Sequence, residues 1–124
     1  MLGYAMLGTN DMPRALAFYD GLMAALGADR VYGTDRFQLY GAGAPSLGIC
    51  LPYDGQAAAP GNGTMIALSA TSHEAVNSTH AKALSLGGTD EGAPGYRGGE
   101  DSGFYAAYFR DLDGNKLCIF KSGK

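Results

Sequence analysis

A chain of 124 residues, 46% hydrophobic and 17% charged, has the length and composition of one globular domain with a buried core. Its net charge of -3 and pI near 5.1 argue against nucleic acid or an anionic membrane as partner, because both need a basic surface. No apolar run approaches about 18 residues, so no membrane span is expected.

The opening "MLGYAMLGTND" has no basic flank and turns polar too early for a signal peptide. Cys50 and Cys118 are then expected as reduced thiols, and the chain as cytoplasmic. Residues 2–8 read as a strand. "TNDMP" follows, where Asn10 or Asp11 can cap a helix and Pro13 fits its first turn. Leu16, Tyr19, Leu22, Met23 and Leu26 recur at helical spacing, and Gly27 closes the helix. Short strands are expected over 29–33, 36–40 and 46–51, separated by the turn formers "GTD" and "GAGAP". "PYDGQAAAPGNG", residues 52–63, has no periodicity and reads as a connector between two halves.

The second half repeats the order of the first. Residues 64–70 read as a strand. "TSHE" matches a capping box, with Thr71 as cap and Glu74 reaching back. Val76, Ala83 and Leu84 mark a helical stripe that ends at Gly87, and a short strand is expected over 88–92. Residues 93–103 have the composition of a mobile loop. Residues 104–110 and 115–121 form a closing hairpin with Asp113-Gly114 at its tip. Both helices end in Leu-Gly, about 60 residues apart, which suggests two tandem βαβββ units.

"MLGTND", "RALAFYD", "PGNGT", "GGTDEGAPG" and "FRDLDGNKL", in that order, resemble the vicinal oxygen chelate superfamily. Its members include glyoxalase I, bleomycin-resistance proteins and extradiol dioxygenases. The resemblance implies an α+β fold over residues 1–124: two tandem βαβββ modules, about 1–55 and 64–124, forming a cupped mixed sheet with the helices outside. It also implies a homodimer, and a divalent ion held by His, Gln or Glu on the inner face. At the family's ligand positions this chain has Tyr4, Met65 and Cys118. The fourth ligand should come from the strand over 46–51, which offers only Cys50.

Phenol, thioether and thiol are poor donors for Mg²⁺, Mn²⁺, Fe²⁺ or Ni²⁺, so no metal or other cofactor is expected. A soft Cu⁺ or Zn²⁺ site from Cys50, Cys118 and Met65 is the residual alternative. His73 and His80, seven residues apart on one helix, are separated by about 10.5 Å of rise and cannot grip one ion together. Both read as solvated or helix-surface residues.

Alternation places Tyr4, Met6, Met65, Ala67, Ser69, Lys116, Cys118 and Phe120 on the inner face, joined by Tyr105 or Tyr108. The stretch 94–103 has four glycines and is the candidate lid, with Tyr96, Arg97, Glu100 and Asp101 as ligand contacts. Asp111, Asp113 and Asn115 read as turn-holding residues. Three functions follow. The first is a metal-free binder of a small, partly apolar organic molecule, as the bleomycin-resistance likeness implies. The second is a lyase, isomerase or dioxygenase of the same superfamily, either metal-dependent through unusual ligands or metal-free with Tyr4 as acid and Cys118 as base or nucleophile. The third is a non-catalytic dimeric interaction module.

Overall fold

A computed structural model of the protein describes residues 1–43 and 45–123. In each half a helix carries the chain from the first strand at one edge of a four-stranded sheet to the second strand at the opposite edge. The first half runs β1 (Tyr4–Gly8), α1 (Met12–Ala25), β2 (Asp29–Gly33), β3 (Phe37–Gly41) and β4 (Ser46–Cys50). The second runs β5 (Ile66–Ser69), α2 (His73–Ser85), β6 (Thr89–Tyr96), β7 (Phe104–Arg110) and β8 (Lys116–Ser122). The sheets have matching orders, β1-β4-β3-β2 and β5-β8-β7-β6. In each, the first strand lies parallel to the last and the other pairs are antiparallel. A parallel pair needs a crossover, which the helices supply. The architecture is α+β, two tandem βαβββ modules. No helix is long and apolar enough to cross a membrane among the described residues.

Helix α1 begins where Asp11, in extended conformation, accepts a bond from the Arg14 amide at 3.1 Å. Pro13 sits in the first turn, where its missing amide costs nothing. Gly27 and Gly87 follow the two helices with φ of 73° and 102°, conformations that a Cβ would strain. The cap of α2 is Ser72, which accepts from the Ala75 amide at 3.0 Å. The expected Thr71–Glu74 box is displaced by one residue, because Ser72 is the residue that takes the extended cap conformation.

One core unites the modules. Leu7, Leu47 and Ile49 from the first sheet and Phe109, Leu117 and Ile119 from the second are all buried in it. Phe18, Leu22 and Val76 fill the space from the helices, and the Phe18 and Phe109 rings lie 6.5 Å apart. Burying such side chains is the main driving force for the fold. Each helix thus covers one face of its sheet and leaves the other uncovered. Leu84, expected on the buried stripe, is 37% exposed; Thr79 and His80 lie inward instead. His80 is therefore not solvated. It is 5% exposed, with Nε2 3.0 Å from Asp90 Oδ1 and its ring edge against Phe109.

The turn between β7 and β8 fastens the modules together. Asp111 Oδ1 accepts the Asp113 and Asn115 amides, both at 2.9 Å, as an Asx-type turn does. Asp111 Oδ2 accepts the Tyr19 hydroxyl of α1 at 2.5 Å. Asp113 accepts Thr9 Oγ1 at 2.5 Å and the Asn10 amide at 3.0 Å. Asn115 Nδ2 donates to the Gly8 carbonyl at 2.9 Å.

The stretch expected as a mobile loop is largely strand and tight turn. β6 extends to Tyr96 through register shifts between Asp90 and Gly92 and between Gly92 and Gly95. Such bulges accommodate Pro94, which has no amide to give the ladder. Beyond it, the Arg97 amide donates to the Phe104 carbonyl at 2.9 Å, and a 3₁₀ turn covers Glu100–Ser102.

Candidate functional site

The site-building surfaces are the two sheet faces that the helices leave uncovered. Pairing fixes who points there. On the first sheet, Tyr4, Met6 and Gly8 stand opposite Ser46, Gly48 and Cys50. Leu39 is paired with Gly48 and Phe37 with Cys50, so both share that face. A Cβ on Gly48 would collide with Met6 Sδ and lie 2.7 Å from Leu39 Cδ2. The glycine is what lets those two side chains fold across the sheet. The face is apolar and open: Tyr4 is 58% exposed and Tyr32 is 63%.

The second sheet presents Ala67, Cys118 and Tyr108 in one row, since Ala67 pairs with Cys118 and Tyr108 faces Cys118 across the ladder. Phe120 stacks on Phe104 at 5.5 Å on the same face. Met65, beside β5, is 41% exposed. Cys118 is 1% exposed and stands apart from the main hydrophobic cluster that the helices cover. The thiol lies at the floor of this face, which Tyr108 helps to cover. The Arg97 guanidinium stands 5.3 Å from the Tyr108 ring centre and the Lys116 ammonium 5.5 Å from it.

These neighbours set the acid-base state of the floor. Burial pushes the Cys118 thiol up, against smaller lowering effects from the Tyr108 hydroxyl, Arg97 and Lys116. Burial likewise raises Tyr108, helped by Cys118. Burial raises Cys50 too, with Arg36 opposing. At neutral pH both thiols and this phenol are protonated, so none is poised as a base.

Tyr4, Met6, Met65, Ala67, Tyr108, Cys118 and Phe120 all stand at the uncovered faces, split between two sheets. Tyr4 and Cys118 belong to different sheets and do not share a face within the chain. Tyr105 points the other way. It is stacked on His73 of α2 at 4.1 Å and donates its hydroxyl to Asn77 Oδ1 at 2.7 Å. The two-residue period of β7 puts Tyr105, Ala107 and Phe109 toward the helix and leaves Tyr108 on the uncovered side. The candidate lid residues separate in the same way. Arg97 reaches over Tyr108, whereas Tyr96, Glu100 and Asp101 line a depression of about 490 Å³ with His73. Sequence reasoning missed Tyr32, Phe37 and Leu39. Alternation in "RFQLYG" carried that signal for Phe37 and Leu39, and the pairing of β3 with β4 resolves it.

The uncovered residues of β4 are Ser46, Gly48 and Cys50. With Tyr4, Met65 and Cys118 they make a set of hydroxyls, thiols and a thioether, which does not fit a hard divalent ion. Among the described residues no three His, Cys, Asp or Glu side chains converge.

This fold has many solved counterparts. A glyoxalase/bleomycin resistance protein from Albidiferax ferrireducens is 37% identical, with 98% of each chain covered and a TM-score of 0.90. A lactoylglutathione lyase from Agrobacterium tumefaciens shares the fold at 18% identity, covering 98% of this chain and 92% of that one, with a TM-score of 0.72. A genomically encoded fosfomycin resistance protein from Listeria monocytogenes does so at 17% identity, covering 99% and 93%, also at 0.72. The comparison with curated proteins gives no match. The family model of the Glyoxalase/Bleomycin resistance protein/Dioxygenase superfamily matches residues 1–119, and the chain belongs to that superfamily.

Proposed function

We propose that this protein is a binding member of its superfamily that works without the metal ion and holds a small, partly apolar organic molecule on the uncovered sheet faces. The donor set carries the reading. At the positions where the family places His, Gln or Glu stand Tyr4, Met65 and Cys118, and β4 adds no carboxylate or imidazole. What remains is an apolar and aromatic surface with a few polar tips, the usual character of a small-molecule site. A metal-free enzyme using Tyr4 and Cys118 finds less support, because Cys118 is buried and its thiol raised.

The active form in this reading is a homodimer. Tyr4, Met6, Tyr32 and Met65 are large apolar side chains left exposed at 58%, 38%, 63% and 41%. β1 and β5 are edge strands, each with one unpaired side. A second copy laid on these surfaces would cover them and turn two shallow faces into a closed cavity. The free cysteines Cys50 and Cys118 suit the reducing cytoplasm.

The test is native mass spectrometry on tag-free protein purified without chelator, paired with thermal unfolding with and without EDTA. A dimer mass, bare or carrying a small organic molecule, and an unfolding temperature indifferent to EDTA are expected. An added mass matching an ion, or a loss of stability in EDTA, would sink the metal-free reading. A monomer at micromolar concentration would sink the dimer.

A further inference from the structure

We infer that Arg97, Tyr108 and Lys116 form an oxyanion-binding subsite on the second sheet, so that the ligand is a small organic anion: a carboxylate or phosphoryl group on an apolar body. This rests on the proposed binding role of the uncovered faces and names the chemical class they take.

The chain carries a net charge of -3, yet this face gathers three cations. One of them, Arg110, is compensated: its Nε lies 2.9 Å from Glu91 Oε1. The other two are not paired with acids among the described residues. Arg97 donates to two backbone carbonyls, Ala93 at 2.8 Å and Gly95 at 3.0 Å. Those bonds hold the guanidinium in place without neutralising it, and leave part of its donor fork free. Lys116 has no salt bridge or side-chain hydrogen bond among the described residues, and its ammonium stands over Tyr108. Two positive groups are thus gathered at one aromatic ring, above a buried neutral thiol. Neither has a neutralising acid among the described residues, so a bound anion would gain their attraction, and the low-dielectric floor would strengthen it.

Room for the rest of the molecule lies next to the ammonium. A cavity of about 540 Å³ is lined by Lys116, Arg110, Met65 and the turn from Pro60 to Thr64. A methionine and a proline there offer adaptable apolar contact. A polar head at Lys116 with an apolar body over Met65 suits this cavity, and the Arg97 guanidinium at the Tyr108 ring adds positive potential nearby.

Isotope-labelled protein would be titrated by NMR with benzoate, phenylphosphonate and neutral benzyl alcohol. At least one anion is expected to bind about tenfold tighter than the alcohol, as a charge-assisted pair should. Its shifts should centre on Tyr108, Lys116 and Cys118, and the tighter anion identifies the head group. Lys116→Met should abolish the preference and Lys116→Arg should restore it. Equal affinities for anion and alcohol, or a preference that survives both Lys116→Met and Arg97→Gln, would overturn the subsite. Benzyl alcohol would in that case still mark the uncovered faces, and the broader binding role would stand. If no probe shifts those faces, both readings fail.

Discussion

Asp111 is 5% exposed, and its carboxylate receives four hydrogen bonds, from the Tyr19 hydroxyl, two backbone amides and Asn115 Nδ2. A buried acceptor so engaged is expensive to remove, because the donors left behind have no water to turn to. Asp111→Ala should therefore lower the stability by about 3 kcal/mol in urea unfolding, and Tyr19→Phe by about 1–2 kcal/mol. An effect of Asp111→Ala within about 0.5 kcal/mol, the range of ordinary surface changes, would show that the turn does not fasten the modules. The same residues predict the alkaline limb. Burial, followed by the charge of Asp111, holds the Tyr19 phenol well above its ordinary value of 10.0. Burial and the hydrogen bond to Asp20 raise Tyr40 as well. A raised folded-state pKa contributes stability that is complete below the unfolded value and is lost as pH rises. The unfolding temperature should thus hold below about pH 10 and fall above it, and Tyr19→Phe should flatten that fall relative to the parent. A limb unchanged in the variant would mean that other groups govern it.

At the scale of elements, the start of α2 separates two accounts of one sequence. Thr71 and Ser72 are both good caps, and Glu74 fits a capping box with Thr71. The structure chooses Ser72, whose side chain accepts the Ala75 amide. Ser72→Ala should cost about 1 kcal/mol, and Thr71→Ala and Glu74→Ala a few tenths each, by urea unfolding. The reverse order would return the cap to Thr71. Adjacent hydroxyl residues differ only in backbone dihedrals, and composition does not encode those. The same limit explains the other misplacements. The helices and the closing hairpin were legible because their periodicity and caps are local. The reach of β6 to Tyr96 was not, because "GAPGY" reads as loop until β7 is there to pair with it. Tyr105 and Tyr108 differ by three positions in a strand with a two-residue period, so at most one can face the site. Only the contact of Tyr105 with His73 and Asn77 decides which.

For the whole molecule, the module duplication was suggested by repeated order and carried by the family resemblance, as were the unusual donors of the candidate site at Tyr4, Met65 and Cys118. The division of the site between two sheets was not, since no local pattern tells which faces two modules turn toward each other. The structure joins them through their helices and through the Asp111–Asn115 turn, and that joint has a thermodynamic consequence. Phe18 and Tyr19 are 2% and 1% exposed, and each is covered in part by the second module, through Phe109 and Asp111. A fragment of residues 1–55 would expose both rings and leave Thr9, Asn10 and Arg14 without Asp113. Its remaining core is too small to offset the ordering of that many residues. The fragment should therefore show the far-ultraviolet circular dichroism of an unfolded chain. The full protein should unfold in one transition, with circular dichroism and tyrosine fluorescence coinciding in urea. A folded fragment, or two separated transitions, would mean that each module holds its own core and that the turn is only a surface contact. Coincident transitions would instead place the stability of both halves of the proposed binding surface in one shared core.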